Sequence, residues 1–357
     1  MPLPTARRRM SIFAVCCLVG TVSLGATLRW ALAGNPLPVD FVDLRAAHSH
    51  LAYYGLLFPL MWAAWARLGE AVPGKRSLVL YGLAVVGSTV GFVREGYGLL
   101  AIAGSTWVLG QWLVSAWMMR RGQGWLRPVA PAIVLGAICI PPVAVLTGRD
   151  PTLAHQVVQG FLTILLLGAV LPSGLALRTE TAPHAGAWLL GTVMCGAFFG
   201  PLHWPVLGLG PVLLAGLLGL AVWRSTLPIV ARMGWAAVVV ALVALGIGVL
   251  PATRPVMVGG FHYVALGPVV FGLMAGLSPR ALPPWAEPVW LLGAGTMAAT
   301  VVVQQWHPGD VSWPLVASRV GMVTAVGATA GGLRWLQKAL QAPDGLGGVE
   351  ERVRSVH

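Results

Sequence analysis

The chain has 357 residues, of which 57% are hydrophobic and only 10% charged, with a mean hydropathy of +0.79. A soluble domain of this length carries roughly a quarter charged residues, so the composition excludes a water-soluble enzyme and requires a surface that faces lipid. The formal charge of +12 has the magnitude of a nucleic-acid binder, but its distribution along the chain points to topology instead.

A run of about 20 apolar residues crosses a ~30 Å hydrocarbon core as a helix. Such runs fall at 11–33, 47–68, 77–93, 98–119, 127–147, 152–177, 185–204, 206–223, 229–250, 257–278, 286–304 and 313–337. They predict an all-α integral membrane protein of about twelve transmembrane helices. The ten-residue alternating strands of a membrane barrel do not occur. The first run follows Arg7, Arg8 and Arg9 and ends in Ala31-Leu32-Ala33, a pattern shared with cleaved signal peptides. The run is long for the apolar part of such a signal, and a retained helix is the expectation.

Alternate loops differ sharply in charge. One side holds seventeen Lys and Arg residues, the other only Arg29, Arg45, Arg94, Arg149 and Arg254, with Arg319 inside the last run. The positive-inside rule then puts both termini in the cytoplasm of a bacterial-type inner membrane. Residues 1–340 read as one polytopic membrane domain and 341–357 as a short cytoplasmic tail. The expected partner from this reading is the lipid bilayer, with no nucleic acid.

Cys16, Cys17, Cys139 and Cys195 all lie in apolar runs, and no CxxC or CxxCH occurs, so disulfides, zinc ribbons and covalent heme attachment have no support. Many of the sixteen tryptophans fall near the ends of runs, where interface anchoring accounts for them.

The histidines carry a repeat. His50, His155 and His262 each begin an H-x4-G, ending at Gly55, Gly160 and Gly267, and are separated by 105 and 107 residues. They sit near the starts of the second, sixth and tenth runs. This predicts three pseudo-repeated four-helix units, approximately 11–119, 127–223 and 229–337, in one orientation about an axis along the membrane normal. The alternative is chance combined with glycine-mediated helix packing.

The predicted topology gathers His48, His50, His155, His203, His262 and His307 near one membrane face. Ionisable groups at membrane depth mark functional sites by default, and imidazole is a common ligand of iron and copper. His48 and His50 point in different directions because residues two apart on a helix are about 200° apart. No HxxxH pair exists on one helix, so a metal or heme must be held between helices.

The stretch Phe261-His262-Tyr263-Val264-Ala265-Leu266-Gly267, continuing to Met274-Ala275-Gly276, resembles the tenth helix of heme-copper oxidase subunit I. That family also has twelve helices in three four-helix arcs. The resemblance implies that His50, or His48 beside it, and His262 ligate a b-type heme, with Arg45, Arg254 and Arg319 placed to neutralise its propionates. For Arg319, snorkelling toward the interface is an equal alternative.

The oxidase's high-spin ligand, two residues before the low-spin one, is replaced by Gly260, and the copper-site histidines are missing. Oxygen reduction is therefore not expected. His155 and His203, with His50 and His262, remain candidate metal ligands, with copper as the second possible cofactor. His262 to Gly267 followed by Ser278-Pro279-Arg280 is also similar to the NnrS family, twelve-helix heme- and copper-containing membrane proteins linked to nitric oxide stress. Leu44-Arg45-Ala46-Ala47-His48-Ser49-His50-Leu51 resembles the L-R-x-A-H-x-H-L of other oxidase-like membrane proteins.

The expected function is an oxidase-like membrane heme protein in redox or nitric-oxide handling or sensing, without oxygen reduction, served by an electron-transfer or nitric-oxide-related partner. The alternatives are a membrane copper transporter or trafficking protein, and a cofactor-free scaffold of the same fold.

Overall fold

The computed structural model describes residues 3–147, 149–200, 202, 205–278, 282–303 and 312–341. The described residues are all-helical, with no strand. In chain order the helices are α1 (Leu3–Leu32), α2 (Phe41–His50, Leu51–Leu57 and Phe58–Arg67, continuous), α3 (Lys75–Glu95) and α4 (Leu99–Met119). There follow α5 (Val129–Ile138 and Ile140–Thr147), α6 (Pro151–Leu165, Leu166–Val170 and Leu171–Ala176), α7 (Ala185–Phe199) and α8 (Leu209–Trp223). The last four are α9 (Ile229–Gly246), α10 (Arg254–Val264, Ala265–Val270 and Phe271–Leu277), α11 (Ala286–Val303) and α12 (Ser312–Gln341).

Nine of the described helical stretches are long and apolar enough to cross a membrane, making this a multi-pass integral membrane protein. Helix α7, with 15 residues, is shorter. The apolar runs foreshadow these helices closely, although α1 starts at Leu3 and α2 at Phe41, both ahead of their apolar stretches. The cause at α2 is Asp40, whose carboxylate accepts hydrogen bonds from the Val42 and Asp43 backbone N–H groups at 2.7 and 3.2 Å. That capping satisfies donors a helix start otherwise leaves free. Asp150 caps α6 through the Leu153 N–H at 2.9 Å, and Pro151 takes the first turn, where its missing N–H costs nothing.

Helices α2, α6 and α10 share a feature that no apolar pattern reveals. Each is interrupted by a π-helical stretch, at Leu51–Leu57, Leu166–Val170 and Ala265–Val270. A proline accompanies each one, at Pro59, Pro172 and Pro268. Proline lacks an N–H and its ring clashes with the carbonyl four residues earlier, which here belongs to Gly55, Gly168 or Val264. Widening the turn relieves that clash, and such π-bulges recur at functional sites.

Consecutive helices pack side by side, and α12 returns against α1. Inside this ring the trailing segments of the interrupted helices, Phe58–Arg67, Leu171–Ala176 and Phe271–Leu277, pack on one another. Polar contacts tie them: the Trp65 indole donates to Ser173 Oγ at 3.0 Å, and Arg67 donates to the Leu277 carbonyl at 3.0 Å. The Trp335 indole of α12 donates to the Met274 carbonyl at 2.9 Å. The leading segments, Phe41–His50, Pro151–Leu165 and Arg254–Val264, make no comparable contacts with one another. The histidines of α2, α6 and α10 stand on the leading segments, away from this packed end.

Lipid gives no hydrophobic drive for helix association, so close backbone approach matters. The glycines of the H-x4-G stretches serve that purpose. A Cβ on Gly55 would run into Cys17 of α1, and one on Gly160 would lie 2.7 Å from the Gly196 carbonyl oxygen of α7. One on Gly267 would meet Ala294 of α11 at 3.5 Å. The backbone at Gly160 cannot give way, so Gly160→Leu is expected to lower the melting temperature of the detergent-solubilised protein markedly. Overpacking of this kind costs about 1–3 kcal/mol. Gly110→Ala, where nothing lies within 4 Å, should leave the melting curve unchanged, and size-exclusion-monitored heating of both variants checks the pair.

Candidate cofactor site

His48 leaves α2 toward α1 and α10, and His262 of α10 meets it. Their ring centroids are 5.9 Å apart and their planes within 10° of parallel. The Nδ1 of His48 lies 2.9 Å from the Thr21 carbonyl oxygen, and the Nδ1 of His262 lies 2.7 Å from the Val258 carbonyl oxygen. A carbonyl only accepts, so each Nδ1 carries the proton of the neutral ring and each Nε2 keeps its lone pair. Metal-ligating histidines are commonly oriented in this way.

Helix α1 makes room for the pair. A Cβ on Gly25 would stand 3.0 Å from His48 Cε1, so any larger residue there presses on the ring. Nearby, the Thr21 hydroxyl is buried with no hydrogen-bond partner, a polar atom aimed at nothing in the protein. One turn beyond Gly25 stands Arg29, half-buried, its stem lying across Gly321 of α12. Its guanidinium donates to Thr300 Oγ1 at 3.0 Å, the Ala317 carbonyl at 3.1 Å and the Met297 carbonyl at 3.2 Å. All three acceptors are neutral. Its charge acts on both His48 and His262.

His50 lies elsewhere. Its Nδ1 bonds to the Ala46 carbonyl at 2.7 Å, and its ring stacks on Phe92 at 4.0 Å between centroids. Tyr54 and Tyr97 stand edge-on at 5.1 and 6.2 Å. Of the two histidines the sequence reading left open on this helix, the structure therefore brings His48 to His262 and sends His50 into an aromatic pocket against α3. The roughly 200° between residues two apart is the cause.

His155 is half-buried near the start of α6, with its Nε2 3.5 Å from Gln159 Nε2, and is not joined to the His48–His262 pair. Arg45 is half-buried, and its charge acts on His155 and on Tyr97. Arg319 is exposed: Ala317 is turned into the bundle, and Arg319, two residues on, points away from the site. The Arg254 side chain and His203 lie outside the described residues. Among the described residues no three His, Cys, Asp or Glu side chains converge to hold a metal.

Sequence reasoning missed Arg29, Gly25 and Thr21. Arg29 had been grouped with loop charges, although it falls inside the first apolar run, where a cation needs a partner. Because Arg29 joins α1 to both α11 and α12, Arg29→Met should destabilise the bundle by roughly 2 kcal/mol or more, as hydrogen bonds from a charged donor are lost. Thermal unfolding in detergent measures this, and an unchanged midpoint would show the three bonds to be dispensable.

Comparison with protein-family models, with curated proteins and with solved structures finds no match for this chain.

Proposed function

We propose that the chain is a membrane heme protein with twelve crossings in three four-helix repeats and both termini cytoplasmic, in which His48 and His262 would hold a b-type heme. The observation that carries this reading is the facing pair of imidazoles. Two rings sharing one metal from opposite sides, at metal–nitrogen bonds of roughly 2 Å, place their centroids roughly 6 Å apart, against 5.9 Å here. Only two protein ligands meet at this point among the described residues, so a metal held here needs its remaining ligands from a non-protein source. A porphyrin supplies them.

The surrounding residues fit that group. Their backbone anchors take both Nδ1 protons and leave both Nε2 lone pairs available to a metal, and Gly25 leaves the His48 ring its space. Arg29, without a carboxylate partner among the described residues, suits a heme carboxylate, which a guanidinium recognises well.

A heme bound at this site supplies a one-electron couple. With two imidazoles engaged in holding the group, the reading is electron transfer, or redox handling or sensing linked to nitric oxide, without oxygen reduction. The residues' part would be to hold the group through the two imidazoles and to place the Arg29 charge beside it, which would favour the reduced, less positive state.

The test is purification of the full chain after expression with ample heme, with pyridine hemochrome analysis and reduced-minus-oxidised spectra. Stoichiometric heme b is expected, lost in His48→Ala and His262→Ala and kept in His50→Ala. Gly25→Leu, which pushes the His48 ring, should weaken heme retention by at least about tenfold, the scale on which ligand-orienting contacts act. Heme-free protein that binds copper through the same two histidines would replace this reading with metal trafficking. Protein binding neither would leave the scaffold. Loss of heme in His50→Ala alone would move the ligand to His50.

A further inference from the structure

The outer side of α4 carries a surface that the histidine pair does not use. Ala103, Thr106, Trp107, Gly110, Gln111 and Val114 line a groove of about 470 Å³, and all but the half-buried Gln111 are exposed. Their spacing of three and four residues puts them on one helix face. Gly110 forms the notch between Trp107 and Val114, where an added Cβ would find no atom within 4 Å. From Ala103 to Val114 the groove runs about 16 Å along the helix, close to one leaflet of a ~30 Å hydrocarbon core. The same face continues to Trp117 and Arg121. There the Arg120 side chain turns back along the helix: its guanidinium lies 4.1 Å from the centre of the Trp117 ring and donates to the Trp117 carbonyl at 2.7 Å. Helix α3 begins alongside. The Ser77 hydroxyl donates to Gln111 Oε1, which fixes Lys75 and Arg76, the first two residues of α3, at this end of the groove.

We propose that this face of α4 binds an anionic phospholipid, with one acyl chain in the groove over Gly110 and the phosphate among Lys75, Arg76, Arg120 and Arg121. Charge decides the occupant. All four cations are exposed, and the single ion pair among the described residues, Arg178 to Glu287, includes none of them. An apolar helix packed on α4 would fill the notch and use no cation, whereas an anionic phospholipid uses both. Clusters of Lys and Arg beside a membrane-spanning helix recruit anionic headgroups, and a guanidinium matches phosphate oxygens in a fork. Trp117 stands between groove and cations, as aromatic rings do at the membrane interface, and its ring attracts the Arg120 charge. The Gln111 carboxamide accepts from Ser77 through its oxygen, which leaves its N–H groups to donate to a lipid ester carbonyl. Facing hydrocarbon alone, those groups would be costly. The site needs no cofactor, so it stands or falls separately from the heme reading.

The experiment uses the full chain, delipidated in a neutral detergent, and native mass spectrometry with dioleoyl phosphatidylglycerol or, as the uncharged counterpart, dioleoyl phosphatidylcholine. One phosphatidylglycerol is expected to bind at least about tenfold more tightly than phosphatidylcholine, since each cation near an anionic headgroup contributes a factor of about five. Its affinity should fall at least about tenfold in the Arg120→Gln/Arg121→Gln double variant on the same scale. Gly110→Leu, which fills the notch and touches no cation, should weaken it to a similar extent. Arg224→Gln, which removes an exposed cation following α8, should leave it unaltered. Thermal unfolding before lipid is added verifies each fold, and Gly110→Leu carries the test if the double variant does not fold. Equal affinity for the two lipids, or equal weakening in Arg224→Gln, would overturn the proposal in favour of general attraction to the membrane surface. Unchanged affinity in Gly110→Leu would overturn it by emptying the groove. So would a dimer broken by Gly110→Leu, which would give the groove to a second copy of the chain.

Discussion

The architecture depends on the locking of three interrupted helices at one end of the bundle. In lipid, apolar side chains gain little by leaving their surroundings, so association rests on close packing and on hydrogen bonds between helices. Trp65 to Ser173, Arg67 to the Leu277 carbonyl and Trp335 to the Met274 carbonyl supply those bonds at that end, amid side chains such as Phe58, Trp62 and Leu171 that are fully buried. The π-helical turns lie just beyond this knot. They separate the packed trailing segments from the leading segments, which carry His48, His155 and His262. The packed trailing segments hold the protein together, and the leading segments beyond them bring His48 to His262.

The helices themselves were legible because their signal is local. A run of apolar residues ending at a proline, a glycine or a charge reads as a span whatever its neighbours are, and the boundaries drawn at Leu68, Met119 and Trp223 agree with the helices to within a residue. The π-helical turns were legible in principle through Pro59, Pro172 and Pro268, each inside an apolar run, but apolar periodicity does not register a widened turn. The choice between His48 and His50 was not legible. Both lie on one short segment, and helical geometry requires only that they differ in direction. Which of them meets His262 is set by the packing of α1, where Gly25 admits the His48 ring and the Thr21 carbonyl anchors it.

Charge follows the same logic. Arg29 stood in the sequence as one of a few sparse cations on one side, and only the fold shows it half-buried, spanning from α1 to α11 and α12 on neutral acceptors. The H-x4-G spacing carries two separate meanings. Its glycines serve helix packing, each against a neighbouring helix, while its histidines diverge: His262 joins His48, His50 enters an aromatic pocket, and His155 stands with Gln159. A spacing in sequence thus marks corresponding positions without assigning them a common task.

The central claim is that His48 and His262 share one metal centre. Pulsed electron paramagnetic resonance on oxidised protein labelled with 15N-histidine tests it most directly. The account predicts couplings to two axial histidine nitrogens, one lost in His48→Gly and the other in His262→Gly, each variant regaining a low-spin signal when imidazole is added. Two histidine couplings surviving intact in His48→Gly would contradict it.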